Sequence, residues 1–164
     1  QALVGQQQVA REAARKGKEI QHPWSAHPTM PEAGARRARR RNTVKTIMLV
    51  DDSATILLSI SNILTKAGYA VEKASNANDG LTKFKGGTKI DLLITDLNMP
   101  GMNGIDFIKQ VRTLPGYKFM PILFLTTESQ QAKRAEAKAA GASGWLVKPA
   151  TADELLNTIK LVLR

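Results

Sequence analysis

Short apolar runs that each stop at a polar residue constrain how this chain can fold. Thr46-Ile47-Met48-Leu49-Val50 stops at Asp51-Asp52, and Ile90 to Ile94 leads to Asp96. Ile122-Leu123-Phe124-Leu125 stops at Thr126, and Gly144-Trp145-Leu146-Val147 at Lys148-Pro149. Such runs are too short for ordinary helices, and the one before Asp96 is followed at once by the turn Asn98-Met99-Pro100-Gly101, so each reads as a buried strand. In open α/β sheets ligands bind beyond the carboxyl ends of the strands, so these runs aim Asp51, Asp52, Asp96, Thr126 and Lys148 at one pocket.

Helical periodicity fills the gaps. Ser53 can cap a helix carrying Ile56, Leu57, Ile60, Ile63 and Leu64, which Gly68 ends. Tyr69 to Ala74 reads as a further strand, second in chain order. Asn76 or Asn78 opens a short helix with Leu81 and Phe84, stopped by Gly86-Gly87, and Asn103 opens another with Ile105, Ile108 and Val111. Ser129 to Ala140 has helix-forming Ala, Lys, Arg and Glu but no large apolar residue, so it is expected to be a loosely held helix. Thr151 and Glu154 form a capping box for a last helix with Leu155, Leu156, Ile159 and Leu163 on its apolar face. Strict alternation implies a parallel sheet with right-handed crossovers and helices on both faces. About 120 residues bury roughly two thirds of their unfolded surface, enough for an independent core.

The 164-residue chain has a net charge of +10, but nine of its 24 Lys/Arg and three of its 14 acidic residues lie in residues 1–44, a balance of +6. That segment has few large apolar residues and the run Arg36-Arg37-Ala38-Arg39-Arg40-Arg41, so it is expected to be a disordered basic tail with a helix around Gln8 to Glu19. The domains expected are this extension, 1–44, and a folded domain, 45–164. Val44-Lys45-Thr46-Ile47 would also make a beginning if the natural product starts there, at an alternative bacterial start codon. The absence of cysteine excludes disulfides and thiolate metal sites, and no apolar run reaches the ~20 residues that span a bilayer. A cytoplasmic protein with no membrane partner is expected.

Four motifs carry a family likeness: Val50-Asp51-Asp52-Ser53; Asp96-Leu97-Asn98-Met99-Pro100 with Asn103-Gly104; Leu125-Thr126-Thr127-Glu128-Ser129; and Ala140 to Pro149. Their separations are 44 residues from Asp52 to Asp96, 30 to Thr126 and 22 to Lys148. Residues 46–164 resemble the receiver domains of bacterial two-component response regulators, most of all the single-domain chemotaxis regulators of the CheY type. Taken singly, Asp51 is a helix N-terminal carboxylate, Thr126 a strand-end hydroxyl and Lys148 a solvated lysine; spaced together, they outweigh those plain readings. The resemblance implies a flavodoxin-like (βα)5 fold with strand order 2-1-3-4-5, and a cis bond before Pro149.

In that order the first and third strands are neighbours, about 4.8 Å apart, so Asp51, Asp52 and Asp96 converge. Clustered carboxylates call for a cation, and an all-oxygen set without His or Cys favours Mg2+. Asp52, Asp96 and the Asn98 backbone carbonyl are the expected direct ligands, with Asp51 acting through water. Asp96 is the expected phosphoacceptor, Lys148 and Thr126 supplying a positive charge and a hydroxyl donor to the phosphoryl oxygens. His22 and His27 sit in His-Pro pairs in the tail and read as incidental, so the resemblance supplies the donor, a CheA-like histidine kinase.

Thr126 and Trp145 occupy the family's switch positions, the ring expected to turn in as the phosphoryl group draws in the hydroxyl; Trp145 could also be a plain half-exposed packing residue. Asn98 and Glu128 flank the line of a hydrolytic water and are expected to tune dephosphorylation. Ala150 stands where the family often has Phe. The expected function is a monomeric, phosphorylation-activated chemotaxis switch, with a flagellar motor switch protein or other protein as target and a phosphatase as a further partner. No enzymatic activity is expected beyond slow self-catalysed phosphoryl transfer and autodephosphorylation. The alternatives are a stand-alone receiver in a phosphorelay, a phosphate sink, or a nucleic-acid-binding protein acting through Arg36–Arg41. A phosphatase of the haloacid dehalogenase type would need a second Asp where Asn98 stands.

Overall fold

A computed structural model describes residues 43–163. The helix expected over Gln8 to Glu19, the arginine run and both His-Pro pairs lie outside them. Strands β1 (Thr46–Val50), β2 (Ala70–Ala74), β3 (Leu92–Thr95), β4 (Ile122–Thr126) and β5 (Gly144–Val147) alternate with helices α1 (Ala54–Lys66), α2 (Ala77–Lys85), α3 (Gly104–Thr113), α4 (Gln131–Ala139) and α5 (Ala152–Val162). All strand pairs are parallel and the order is β2-β1-β3-β4-β5, the expected architecture.

Each central strand is buried on both sides, which is why its sequence is a continuous apolar run rather than an alternating one. Ile47, Leu49, Leu92, Ile94 and Leu123 pack with α1 and α5 on one face, where Ile60, Leu64, Leu155 and Ile159 are buried. Met48, Val50, Leu93, Ile122 and Phe124 pack with α2, α3 and α4 on the other, around Phe84, Phe107 and Ile108. Ala150 packs against the first of these cores.

The caps read from sequence are present. Ser53, Asn76, Asn103 and Thr151 each accept a backbone N–H at the start of α1, α2, α3 and α5, and Thr151 with Glu154 completes the capping box. Two boundaries differ. The expected third strand started at Ile90, but pairing begins at Leu92 because the Asp91 carboxylate accepts the Thr46 N–H, 2.9 Å away, and so occupies the strand entry. Helix α4 starts at Gln131 rather than Ser129, since the Glu128 carboxylate takes the Ser129 and Gln130 N–H groups at 3.0 and 2.9 Å. Of its nine residues only Ala137 is buried. At about 0.8 kcal/mol per buried CH2, α4 is held far less firmly than α3, which buries Ile105, Phe107, Ile108 and Val111.

Arg112, in the last turn of α3, is a structural residue that periodicity did not reveal. Its guanidinium donates to the Tyr117 and Met120 carbonyls at 2.9 and 2.5 Å and to the Gly141 carbonyl at 2.5 Å, tying α3 to the entries of β4 and β5. No other side chain has a donor fork that reaches three carbonyls. Arg112→Met is expected to cost about 3 kcal/mol, since charged hydrogen bonds contribute ~1.5–3 kcal/mol each and water can replace only part of the set. The urea midpoint of the variant measures this; an unchanged midpoint would mean that water satisfies all three carbonyls.

Candidate functional site

The carboxyl ends of β1, β3, β4 and β5 meet at one place. Val50 pairs with Thr95 and Thr126 with Val147, so Asp51, Asp96, Thr126 and Lys148 stand at or just beyond aligned strand ends. The Lys148 peptide N–H donates to the Thr126 carbonyl at 2.8 Å, extending β5 pairing by one residue and delivering the lysine side chain to the site. The Lys148–Pro149 bond is cis.

Lys148 is the bridge. Its ammonium lies 2.6 Å from Asp51 Oδ2 and 3.2 Å from Asp96 Oδ2, with all three side chains largely buried. The remaining carboxylate oxygens are held by backbone donors: Ser53 N–H to Asp51 Oδ1 at 2.9 Å, and Leu97 N–H to Asp96 Oδ1 at 2.7 Å. Asp52 is exposed and lines a cleft of about 560 Å³ with Asn76, Pro100 and Met102. Carboxylate oxygens of Asp51, Asp52 and Asp96 all lie within 4.8 Å of one another.

Burial pushes the Asp51 carboxyl above its ordinary 3.8 and the nearby Asp96 charge adds to the rise, which the Lys148 and Ser53 hydrogen bonds offset only in part. Burial pulls the Lys148 ammonium down, but the hydrogen bond and charge of Asp51, and then those of Asp96, outweigh it and hold it above its ordinary 10.5. At neutral pH the lysine is therefore a fixed cation between two acids. One cation facing three carboxylates leaves the cluster short of positive charge. An oxygen-only donor set of this kind fits Mg2+, which binds through one or two carboxylates and keeps several waters.

The other expected residues divide. Thr126 is fully buried, and its Oγ1 accepts the Glu128 N–H at 3.3 Å. Asn98 is exposed beyond β3, two positions after Asp96. Glu128 is turned into its own loop, where its carboxylate accepts the Ser129 and Gln130 N–H groups ahead of α4. Trp145 is half-buried on β5, 5.3 Å from the Phe124 ring, with its indole N–H donating to the Glu128 carbonyl at 3.1 Å. The ring thus already touches the loop after Thr126. The Arg134 guanidinium sits 5.8 Å from the Trp145 ring centroid, a contact from α4 that sequence spacing did not expose. The Ser53 and Leu97 amides were also missed, because backbone donors leave no mark in residue type.

A family model described as the response regulator receiver domain matches residues 47–160. The chain is 37% identical over 118 residues to the chemotaxis protein CheY1 of Helicobacter pylori, covering 71% of this chain and 95% of that protein. It is 39% identical over 111 residues to the chemotaxis protein CheY-3 of Vibrio cholerae, covering 66% and 84%. Among solved structures, the Vibrio cholerae chemotaxis protein CheY4 superposes with a TM-score of 0.72 at 45% identity, over 74% of this chain and all of that one. With its strand order, acidic cluster and bridging lysine, the chain belongs to the response regulator receiver family, in its CheY-type branch.

Proposed function

We propose that this chain is a phosphorylation-activated switch of a chemotaxis two-component pathway, residues 45–164 forming the receiver and 1–44 a basic extension. The observation that carries the reading is the Lys148 ammonium held between Asp51 and Asp96, with Asp52 at the open mouth. Support for chemotaxis comes from relatives named as chemotaxis proteins that match nearly their whole length.

In this reading an Asp96 carboxylate oxygen attacks the phosphorus of a phosphohistidine on a CheA-like kinase. The new O–P bond forms as the N–P bond breaks, and the freed imidazole takes up a proton. Asp52, Asp96 and the Asn98 carbonyl, with Asp51 acting through water, would hold Mg2+, which would supply charge neutralisation for the phosphoryl oxygens. Lys148 turns from Asp96 to a phosphoryl oxygen, and the Thr126 hydroxyl donates to another. That hydroxyl is now the acceptor of the Glu128 N–H, so recruiting it rearranges the loop that holds both Glu128 and the Trp145 indole bond. The loosely packed α4 follows, and the Trp145 face changes. Asn98 stays beside the acceptor to orient a hydrolytic water, while Glu128 does so only after releasing the Ser129 and Gln130 N–H groups.

The test is a pull-down with the full chain activated by Mg2+ and beryllofluoride, against Asp96→Asn as the inactive bait. Selective retention of a flagellar motor switch protein by the activated bait is expected. Retention of a histidine kinase alone, equally by both baits, would replace this reading with a phosphate sink or relay member.

A further inference from the structure

The two ends of this sheet carry opposite charge. Asp51, Asp52 and Asp96 lie at the carboxyl ends of the strands, with Asp79, Asp106 and Asp153 in first helical turns at the same end. At the other end each of α1 to α5 has a basic residue in its last turn, Lys66 and Lys138 among them. Helix dipoles account for that much. They do not account for Lys45, Lys89 and Lys118, which lie on the segments entering β1, β3 and β4.

Hydrogen bonds join those segments into one surface. Thr46 N–H donates to the Asp91 carboxylate at 2.9 Å and Asp91 N–H to the Thr46 carbonyl at 2.8 Å. The Tyr117 hydroxyl donates to the Thr88 carbonyl at 3.2 Å and accepts the Ile90 N–H at 3.3 Å. Asp91 is the one carboxylate of these segments, and it is engaged by Thr46 and by Lys89 at 3.8 Å. Set among the lysines is Phe119, 88% exposed, with the Lys118 ammonium 5.6 Å from its ring centroid, and Val44, 61% exposed, enters β1 two strands away.

One exposed apolar side chain needs no explanation, but an exposed aromatic ring, an exposed valine on the same edge and three lysines against the single carboxylate of Asp91 do. We infer that this edge docks on an anionic lipid surface, Phe119 entering the headgroup layer while Lys45, Lys89 and Lys118 face the lipid phosphates. Long lysine stems lie along apolar material and keep their charge at its rim, and an aromatic ring settles at headgroup depth. A single-stranded nucleic acid fits less well, because it calls for a track of successive stacking platforms and this edge offers one ring. The expectation of no membrane partner rested on the absence of a spanning run. An interfacial edge is assembled from three separate segments and shows in no one of them. Docking here leaves the phosphoacceptor end free, since a five-residue strand separates the two edges by roughly 16 Å.

The run Arg36–Arg41 lies shortly before Lys45 in sequence and adds charge of its own, so the test must separate it from the edge. The full chain is sedimented with vesicles of phosphatidylglycerol and phosphatidylcholine, and with phosphatidylcholine alone. Binding to the anionic vesicles only is expected. Phe119→Ser should weaken it about tenfold, and Lys89→Glu with Lys118→Glu by more than that, at roughly fivefold for each lysine charge removed near an anionic surface. Both variants should keep the parent's urea midpoint and its Asp96 labelling by acetyl phosphate, since the substituted side chains are exposed and at the far end from Asp96. Unchanged vesicle binding in these variants overturns the inference, as does binding that only Gln replacement of the arginine run abolishes. Phe119-dependent binding to a single-stranded oligonucleotide, with none to anionic vesicles, overturns it in favour of nucleic acid.

Discussion

Asp96→Asn is expected to reduce phosphorylation of the full chain by acetyl phosphate and Mg2+ to background, read as the loss of the phosphorylated species in intact-protein mass spectrometry. An amide lacks the anionic oxygen that attacks phosphorus, while its shape still fits between the Leu97 N–H and Lys148. The fold should survive the change. Asp51 and Asp96 are like charges sharing one ammonium, so removing one relieves repulsion and leaves the 2.6 Å Lys148–Asp51 pair in place. An unaltered urea midpoint with no labelling is thus the combination expected. Labelling at the parent's level in Asp96→Asn would move the acceptor elsewhere and sink the proposed chemistry.

Gly104→Ala is expected to be the most damaging single-methyl change in the domain. A Cβ there would fall 2.3 Å from the Asp96 carbonyl oxygen, 2.7 Å from Phe124 Cε1 and 2.9 Å from Leu97 Cα. Gly104 is not in the left-handed region, so the requirement is for space rather than torsion. Two of the three obstacles are backbone atoms, which no rotamer change can move. Relief must come from shifting α3 away from β3, or Asp96 away from Lys148. Overpacking of this kind costs ~1–3 kcal/mol, and the rigid partners place this case at the upper end. Because Gly104 N–H also donates to the Leu97 carbonyl at 2.7 Å, the displacement reaches the acceptor loop. The expected result is a lower urea midpoint, with slower acetyl phosphate labelling in the molecules that remain folded. Parent-like stability would show that α3 can slide freely.

Most of the fold was legible in the chain because its signals are local. A run such as Ile122 to Leu125, buried on both faces, cannot hide its period, and Ser53, Asn103 and Thr151 cap helices through bonds spanning three residues. Spaced motifs made the acidic cluster and Lys148 legible as well, through resemblance to a family whose strand order brings them together. Partnership was harder. Nothing in residue order says that Lys148 chooses Asp51 at 2.6 Å and Asp96 at 3.2 Å, leaving Asp52 to the cleft, because those distances depend on strands 97 and 52 positions apart. The role of Glu128 shows the same limit. Its position two residues past Thr126 points to the acceptor, and only the folded loop shows its carboxylate accepting the Ser129 and Gln130 N–H groups.

By itself the sequence determined the alternation of strands and helices, the buried face of every described helix but α4, and which polar side chains stand at strand ends. These follow from periodicity and capping, which act over a few residues. Only the tertiary structure decided how the charges share partners, how Arg112 joins three segments through their carbonyls, and how Lys45, Lys89, Lys118 and Phe119 gather on one edge. Those outcomes depend on distances between segments remote in sequence, and packing of the whole sheet sets them.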